Sequence, residues 1–198
     1  MKTVVFHLRA KRCDKDISKL KEEILSYHIK IEEKELSEVK EEKDGILAIT
    51  DQLPDVAYAK ENNIAVIFYE KPGTKSSATG VDMIVQGFEE LDVEYLQLIY
   101  MRHHGLPWII AKTDRICIRE SMEGDLTAFR QLYQEKGMLD YLPNPEFEGE
   151  EGRENFRHYI RSMYRFYNYG IWTVLERKSG AIIGRVGIEN GEYQGESV

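Results

Sequence analysis

The stretch GIWTVLERKSGAIIGRVGIEN, residues 170–190, decides how the second half of the chain is read. Residues 171–176 and 181–189 are rich in β-branched and aromatic side chains, and the tetrapeptide Arg177-Lys178-Ser179-Gly180 between them supplies turn chemistry with Gly in the late, positive-φ position. The spacing predicts a β-hairpin. Ile182, Val186 and Ile188 fall on one face of its second strand, and Trp172 and Val174 share a face of the first, so one side needs cover.

The cover is expected upstream. Residues 115–119 (Arg-Ile-Cys-Ile-Arg) alternate like a strand. From Ser121 or Met122, the residues Leu126, Phe129, Leu132 and Tyr133 then recur at helical spacing until Gly137. After Leu142-Pro143-Asn144-Pro145, a second helical run over about residues 150–168 carries Phe156, Tyr159, Ile160, Met163, Phe166 and Tyr167 as its apolar stripe. The predicted order is strand, helix, helix, strand, strand.

The run RICIRESMEGDLTAFRQLYQEKGMLDYL (115–142), a long helix, and the hairpin with its W-x-V-x-x-x-x-x-G-x-x-I-G pattern together resemble the opening half of a GNAT-type N-acetyltransferase. The resemblance implies transfer of acetyl from acetyl-CoA to an amine, either a small molecule or a peptide. In that family a later strand and helix carry a turn of the form (Gln/Arg)-x-x-Gly-x-(Gly/Ala), whose free N–H groups and helix dipole hold the coenzyme pyrophosphate. The lookalike at residues 177–182 lacks the final small residue and reads as the hairpin turn. The sequence ends at Val198 ahead of that turn, which leads to the expectation of an incomplete, inactive acetyltransferase. The resemblance places the acceptor amine between a loop near Tyr141 and the hairpin end at Glu189 and Asn190, with Glu189 as the base that takes the ammonium proton. The alternative reading of Glu189 is a surface carboxylate at a strand end. Residues 182–188 form an exposed edge, so the chain is expected either to be a piece of a longer transferase or to dimerise there.

The first half alternates strand and helix. Residues 3–8 read as a buried strand; Asp16 then caps a helix with Ile17, Leu20 and Ile24 inward. Residues 30–44 are dense in mixed charge and predict a solvated helix laced with Glu–Lys pairs, ended by Gly45. A continuous apolar strand at 46–50, a short helix through Val56, Ala59 and Asn62, a strand at 64–69, a fourth at 81–85 and a helix over about 89–103 follow. Leu91, Tyr95, Leu98 and Ile99 are expected inward on that last helix. Such alternation indicates a doubly wound parallel sheet.

This half resembles a stripped-down haloacid-dehalogenase-like (HAD-like) phosphohydrolase core. ITDQLPDVAYAKENNIAVIFYEKPG (49–73) with VDMIVQGFEEL (81–91) is similar to that family's closing segment, and Asp51 and Asp55 stand where its magnesium-binding acids belong. The opening KTVVFHLRAKR (2–12) is similar to its first motif, with His7 and Arg9 in place of the nucleophilic and acid/base aspartates. A phosphoryl-aspartate needs a carboxylate, and Mg²⁺ prefers oxygen to a guanidinium, so the resemblance implies a degenerate site and makes a phosphatase the weakest reading. Asp51 and Asp55 have two readings. They hold a cation or polar ligand at the carboxyl end of the sheet, or Asp51 merely ends a strand and Asp55 caps a helix.

The expected fold is therefore α/β, with a small parallel Rossmann-like (HAD-like) domain over residues 1–112 and a partial GNAT α/β domain over 113–198. Its function is acetyl transfer or, as the alternative, a non-catalytic ligand-binding or regulatory module. A net charge of −8 disfavours nucleic acid and anionic membranes as partners. No metal site is expected. His28, His103 and His104 supply no ligand spacing, and the latter two suit a helix C-terminus. Cys13 and Cys117, far apart, fit reduced thiols in a cytoplasmic protein. Arg157, Arg161 and Arg165 form a basic stripe read as an ion-paired, solvated face, and the tyrosines from Tyr159 to Tyr169 are read as core and rim.

Overall fold

The structure is a computed structural model and describes residues 1–9, 14–75, 77–140, 147, 149–189, 192–193 and 196–197, with the side chains of 14, 15, 192, 193, 196 and 197 left aside. It is a mixed α/β protein of two compact units, Met1–Gly105 and Leu106–Val198.

The first unit is a five-stranded parallel sheet in the order β2-β1-β3-β4-β5. Its strands are β1 (Thr3–His7), β2 (Lys30–Glu33), β3 (Ile46–Thr50), β4 (Ala65–Tyr69) and β5 (Met83–Val85). β1, β3 and β4 are mostly apolar and almost wholly buried because both faces are covered, with Thr3, His7 and Thr50 as the polar residues at the ends of β1 and β3. Val4, Phe6, Leu47, Ile49, Ala65 and Ile67 point to one face, against α1 (Asp14–Ser26) and α3 (Val93–His103). Val5, Ile46, Ala48, Val66 and Phe68 point to the other, against α2 (Leu53–Glu61) and the turn carrying Leu36 and Val39. Each such aliphatic side chain contributes about 1.5–3 kcal/mol by leaving water. α3 begins at Val93, later than the expected 89, because the Asp92 carboxylate accepts the Tyr95 amide at 2.7 Å and fixes the helix start there. Val93, Leu96, Leu98 and Ile99 are its buried residues, with Leu91 and Tyr95 only partly covered.

The expected solvated helix over 30–44 is not formed. β2 opens that stretch as a parallel edge beside β1, and 3₁₀ turns follow at Leu36–Glu38 and Lys43–Gly45. Burial of Ile29, Leu36 and Val39 decides it, since an amphipathic strand and turn bring these three inward and a solvated helix does not. The charges remain outside as an edge guard. Lys30 pairs with Glu32 at 2.5 Å and with Glu41, and Lys34 with Glu32 at 2.9 Å. These bonds push the Lys30 ammonium up to about 12 and the Glu32 carboxyl down to about 2.

The chain divides after Gly105, ahead of the expected boundary at 112, because β6 (Ile109–Lys112) pairs with β7 (Ile116–Arg119) inside the second unit. That unit is a four-stranded antiparallel sheet, β6-β7-β8-β9, completed by β8 (Ile171–Glu176) and β9 (Ile182–Gly187). α4 (Leu126–Tyr133), entered through a 3₁₀ turn at Glu123–Asp125, and α5 (Gly149–Ser162) connect β7 to β8. Phe129, Phe147 and Phe156 form the core beneath them with Leu126. α5 continues as a π turn, Met163–Tyr167, ended by Asn168 at φ 58°. The wider turn rotates the apolar stripe. Tyr164 is buried, whereas Phe166, expected inward, is 87% exposed.

The expected hairpin forms, with Gly180 at φ 73° in its turn. The ladder shifts between Val174 and Leu175, so Ile182 pairs with Leu175 and joins the core while Val186, opposite Trp172, stays 45% exposed. Ile182 and Val186 therefore do not share a face as alternation alone implies; the bulge separates them.

Candidate functional site

In the first unit the chain leaves β1 toward β2 on one side and returns to β3 on the other. The β1/β3 boundary is thus the point where strand order reverses, and the carboxyl ends of those strands flank the crevice in which open α/β sheets bind ligands. His7 ends β1 and Thr50 ends β3, paired in register. Asp51 follows Thr50 directly and Asp55 lies five residues beyond it in α2, and the structure brings all four residues together.

Asp55 is 2% exposed and saturated. One carboxylate oxygen lies 2.6 Å from His7 Nδ1 and 2.7 Å from the Thr50 hydroxyl, and the other accepts the Leu36 amide at 3.2 Å. It therefore joins β1, β3 and the turn after β2. Asp55 does not cap α2, as the structural reading supposed; it is the third helical residue, and Gln52 occupies the cap position without a side-chain bond. Asp51 accepts the Arg9 amide at 3.0 and 3.2 Å and the Gln52 side-chain amide at 2.5 Å, tying the exit of β1 to that of β3. His7 Nδ1 faces Asp55, and 17% of the His7 side chain stays accessible. Its role as anchor of Asp55 was invisible in the sequence, where it stood only in the place of a missing aspartate.

In the second unit Tyr141 and Asn190 lie outside the described residues. Glu189 is exposed just beyond β9. Nearby, the Tyr159 hydroxyl accepts the Ile171 amide at 2.6 Å. Burial raises the Tyr159 phenol above its ordinary value, with the Glu189 charge adding and the Arg185 charge opposing, so both charges lie within reach of one ring. Arg185 lies over the core aromatics, its guanidinium carbon 5.0 Å from the Phe129 ring centre and 5.2 Å from that of Phe147.

A second polar knot is wholly structural. Asp125, 3% exposed, takes a bidentate grip from Arg119 (2.7 and 2.8 Å), the Met122 amide (2.9 Å) and the Thr173 hydroxyl (2.8 Å). Burial alone would raise its carboxyl, but these bonds outweigh burial and hold it below the usual range. Tyr164 donates to the Ile171 carbonyl at 2.6 Å and accepts the Ser121 amide at 3.0 Å, tying the π turn to β8. The basic stripe on α5 is ion-paired at Arg157, which holds Glu123 and Glu154 at 2.7 Å each. His103 closes α3 and pairs with Asp82 at 2.8 Å.

A coenzyme pyrophosphate does not fit the described residues of this unit. The first turn of α5 carries Glu150 and Glu151, whose charge repels an anion, and the Asp125 carboxylate already holds the amide ahead of α4. Among the described residues no group of three His, Cys, Asp or Glu is placed to hold a metal ion, and no helix is long and apolar enough to cross a membrane. No family model matches the chain, and no solved structure matches it.

Proposed function

We propose that the second unit is the acceptor side of an N-acetyltransferase of the GNAT kind, serving transfer of an acetyl group from acetyl-CoA to an amine. The observation carrying this reading is the element order. β7 and β8 are antiparallel neighbours separated in sequence by two helices, and β8 turns straight back as β9, which is the arrangement the resemblance leads one to expect. In acetyl transfer a neutral amine attacks, a C–N bond replaces the C–S bond of the donor, and the ammonium proton must leave beforehand. Glu189, exposed at the end of β9, is the carboxylate we assign to receive that proton, directly or through water. The described residues supply no pyrophosphate cradle, so this reading covers the acceptor side alone. The compartment we assign is the cytoplasm, in keeping with Cys117 as a free thiol among the described residues.

The test is acetylation by the protein as its gene encodes it, with free thiol measured as acetyl-CoA is supplied with peptides, aminoglycosides or polyamines. Thiol release that depends on one amine class and falls in Glu189→Gln supports the reading. Absence of amine-dependent release across all three classes, with no acetyl-CoA binding by calorimetry, overturns it.

A non-catalytic binding module is the second reading, favoured by the reversal of strand order at the β1/β3 boundary, where His7 is partly accessible. Phosphatase chemistry is the least favoured, since the position that would carry the attacking carboxylate is His7; hydrolysis of a generic phosphate ester with Mg²⁺ tests it.

A further inference from the structure

Arg185 is the anomaly among the half-buried arginines described in the second unit. Arg119 has Asp125, Arg157 has Glu123 and Glu154, and Arg130 donates to the Phe147 carbonyl at 2.6 Å. Arg185 has no carboxylate or carbonyl partner among the described residues, and its Nε is buried without a hydrogen bond. It stands opposite Thr173, which is fully buried, so it lies on the helix-covered side of the sheet. Two aromatic rings flank its guanidinium, whose carbon lies 5.0 and 5.2 Å from their centres. Contact with ring faces attracts the cation without satisfying an N–H, and a guanidinium cannot shed its charge to escape the cost. A planar guanidinium fork matches a carboxylate, which accepts two parallel N–H bonds.

We propose that Arg185 binds a carboxylate of the acceptor, so that the substrate class is an amine bearing a separate acidic group, such as an amino acid or short peptide with an acidic residue. The acidic group sits on Arg185 and the amine lies toward Glu189. Four positions separate the two, at most about 13 Å between α-carbons, a span that a dipeptide-sized zwitterion bridges. Identification of this ligand as the acceptor rests on the acetyl-transfer reading; carboxylate binding at Arg185 does not.

Titration calorimetry with glycylglutamate and with glycylglutamine, which differ only in the acid group, tests it without any acyl donor. The expected result is at least tenfold tighter binding of glycylglutamate to the native protein. The preference disappears in Arg185→Gln and is largely lost in Arg185→Lys, which keeps the charge but not the fork. Should Arg185→Gln not fold by circular dichroism, the Arg185 Nε–H resonance of the native protein serves instead, shifting with glycylglutamate and not with glycylglutamine. Equal affinity for the two dipeptides, binding of neither, or an unmoved Nε–H resonance overturns the proposal. Loss of the acid preference in a protein that still acetylates amines removes this inference alone. Retention of the preference in a protein that acetylates none removes the acetyl-transfer reading alone.

Discussion

The Asp55 carboxylate meets His7 Nδ1 at 2.6 Å across 48 positions of sequence, and this contact fixes the exit of β1 beside that of β3. A buried carboxylate with three donors on it is costly to neutralise, because every donor then faces an inferior acceptor. Asp55→Asn is expected to destabilise the first unit by about 3 kcal/mol. Amide hydrogen exchange in β1 and β3 measures it; unchanged protection there would show that the contact is dispensable.

Acid is expected to weaken the second unit through Asp125. Its folded carboxyl titrates below the unperturbed value of 3.8, so the stability it contributes is complete above that pH and drains away as pH falls through the depressed folded value. Asp125→Asn should cost about 3 kcal/mol near neutrality by taking the carboxylate from the half-buried Arg119, which keeps only the Glu120 carbonyl at 2.8 Å, and it should flatten the acid limb. Urea midpoints between pH 2 and pH 7, followed by Trp172 fluorescence, decide this; a limb as steep in the variant as in the parent counts against it.

His104 gives the first unit its own pH dependence. Burial, then the neighbouring His103, lowers its imidazole below the ordinary 6.5, and its Nε2 is buried without a partner. The unfolded chain thus takes up a proton that the folded one resists. Stability is full above pH 6.5 and lost progressively as pH drops below it. His104→Phe should reduce that loss, with the melting temperature at pH 5 rising relative to pH 8. Parallel pH profiles for the two proteins would rule it out.

Tyr164→Phe removes one hydroxyl that serves both the Ser121 amide and the Ile171 carbonyl. A loss of about 1–3 kcal/mol is expected, chiefly from the orphaned Ser121 amide, since the Ile171 carbonyl keeps the Ser121 hydroxyl at 3.3 Å. Denaturant unfolding gives the number, and a neutral result would mean that water replaces the hydroxyl.

Self-association is expected through β9, which ends its sheet with Ile183, Val186 and Ile188 each 45–59% exposed. Sedimentation velocity should show a dimer whose population rises with concentration and vanishes in Ile183→Lys. A monomer at all concentrations in the parent would contradict it.

The apolar runs at Ile46–Thr50 and Ala65–Tyr69 determined the parallel sheet by themselves, because a strand buried on both faces admits no polar alternation. The 170–190 hairpin was likewise legible, since β-branched residues and a late Gly act over a few residues. Other features required the assembled molecule. Residues 30–33 look helical in isolation, and only the vacant side of β1 makes them a strand. Ile109–Lys112 belongs to the second unit because β7 pairs with it, and a ladder partner is a fact about space. The bulge that splits Ile182 from Val186 and the π turn that exposes Phe166 are single-residue changes of register, to which a hydrophobic pattern is blind. The same limit governed the candidate sites. Asp51 and Asp55 were visible as residues, but His7 as the partner of Asp55 and Arg185 as an unsatisfied cation emerged only from tertiary structure, because a charge takes its meaning from the groups around it, and those come from distant parts of the chain.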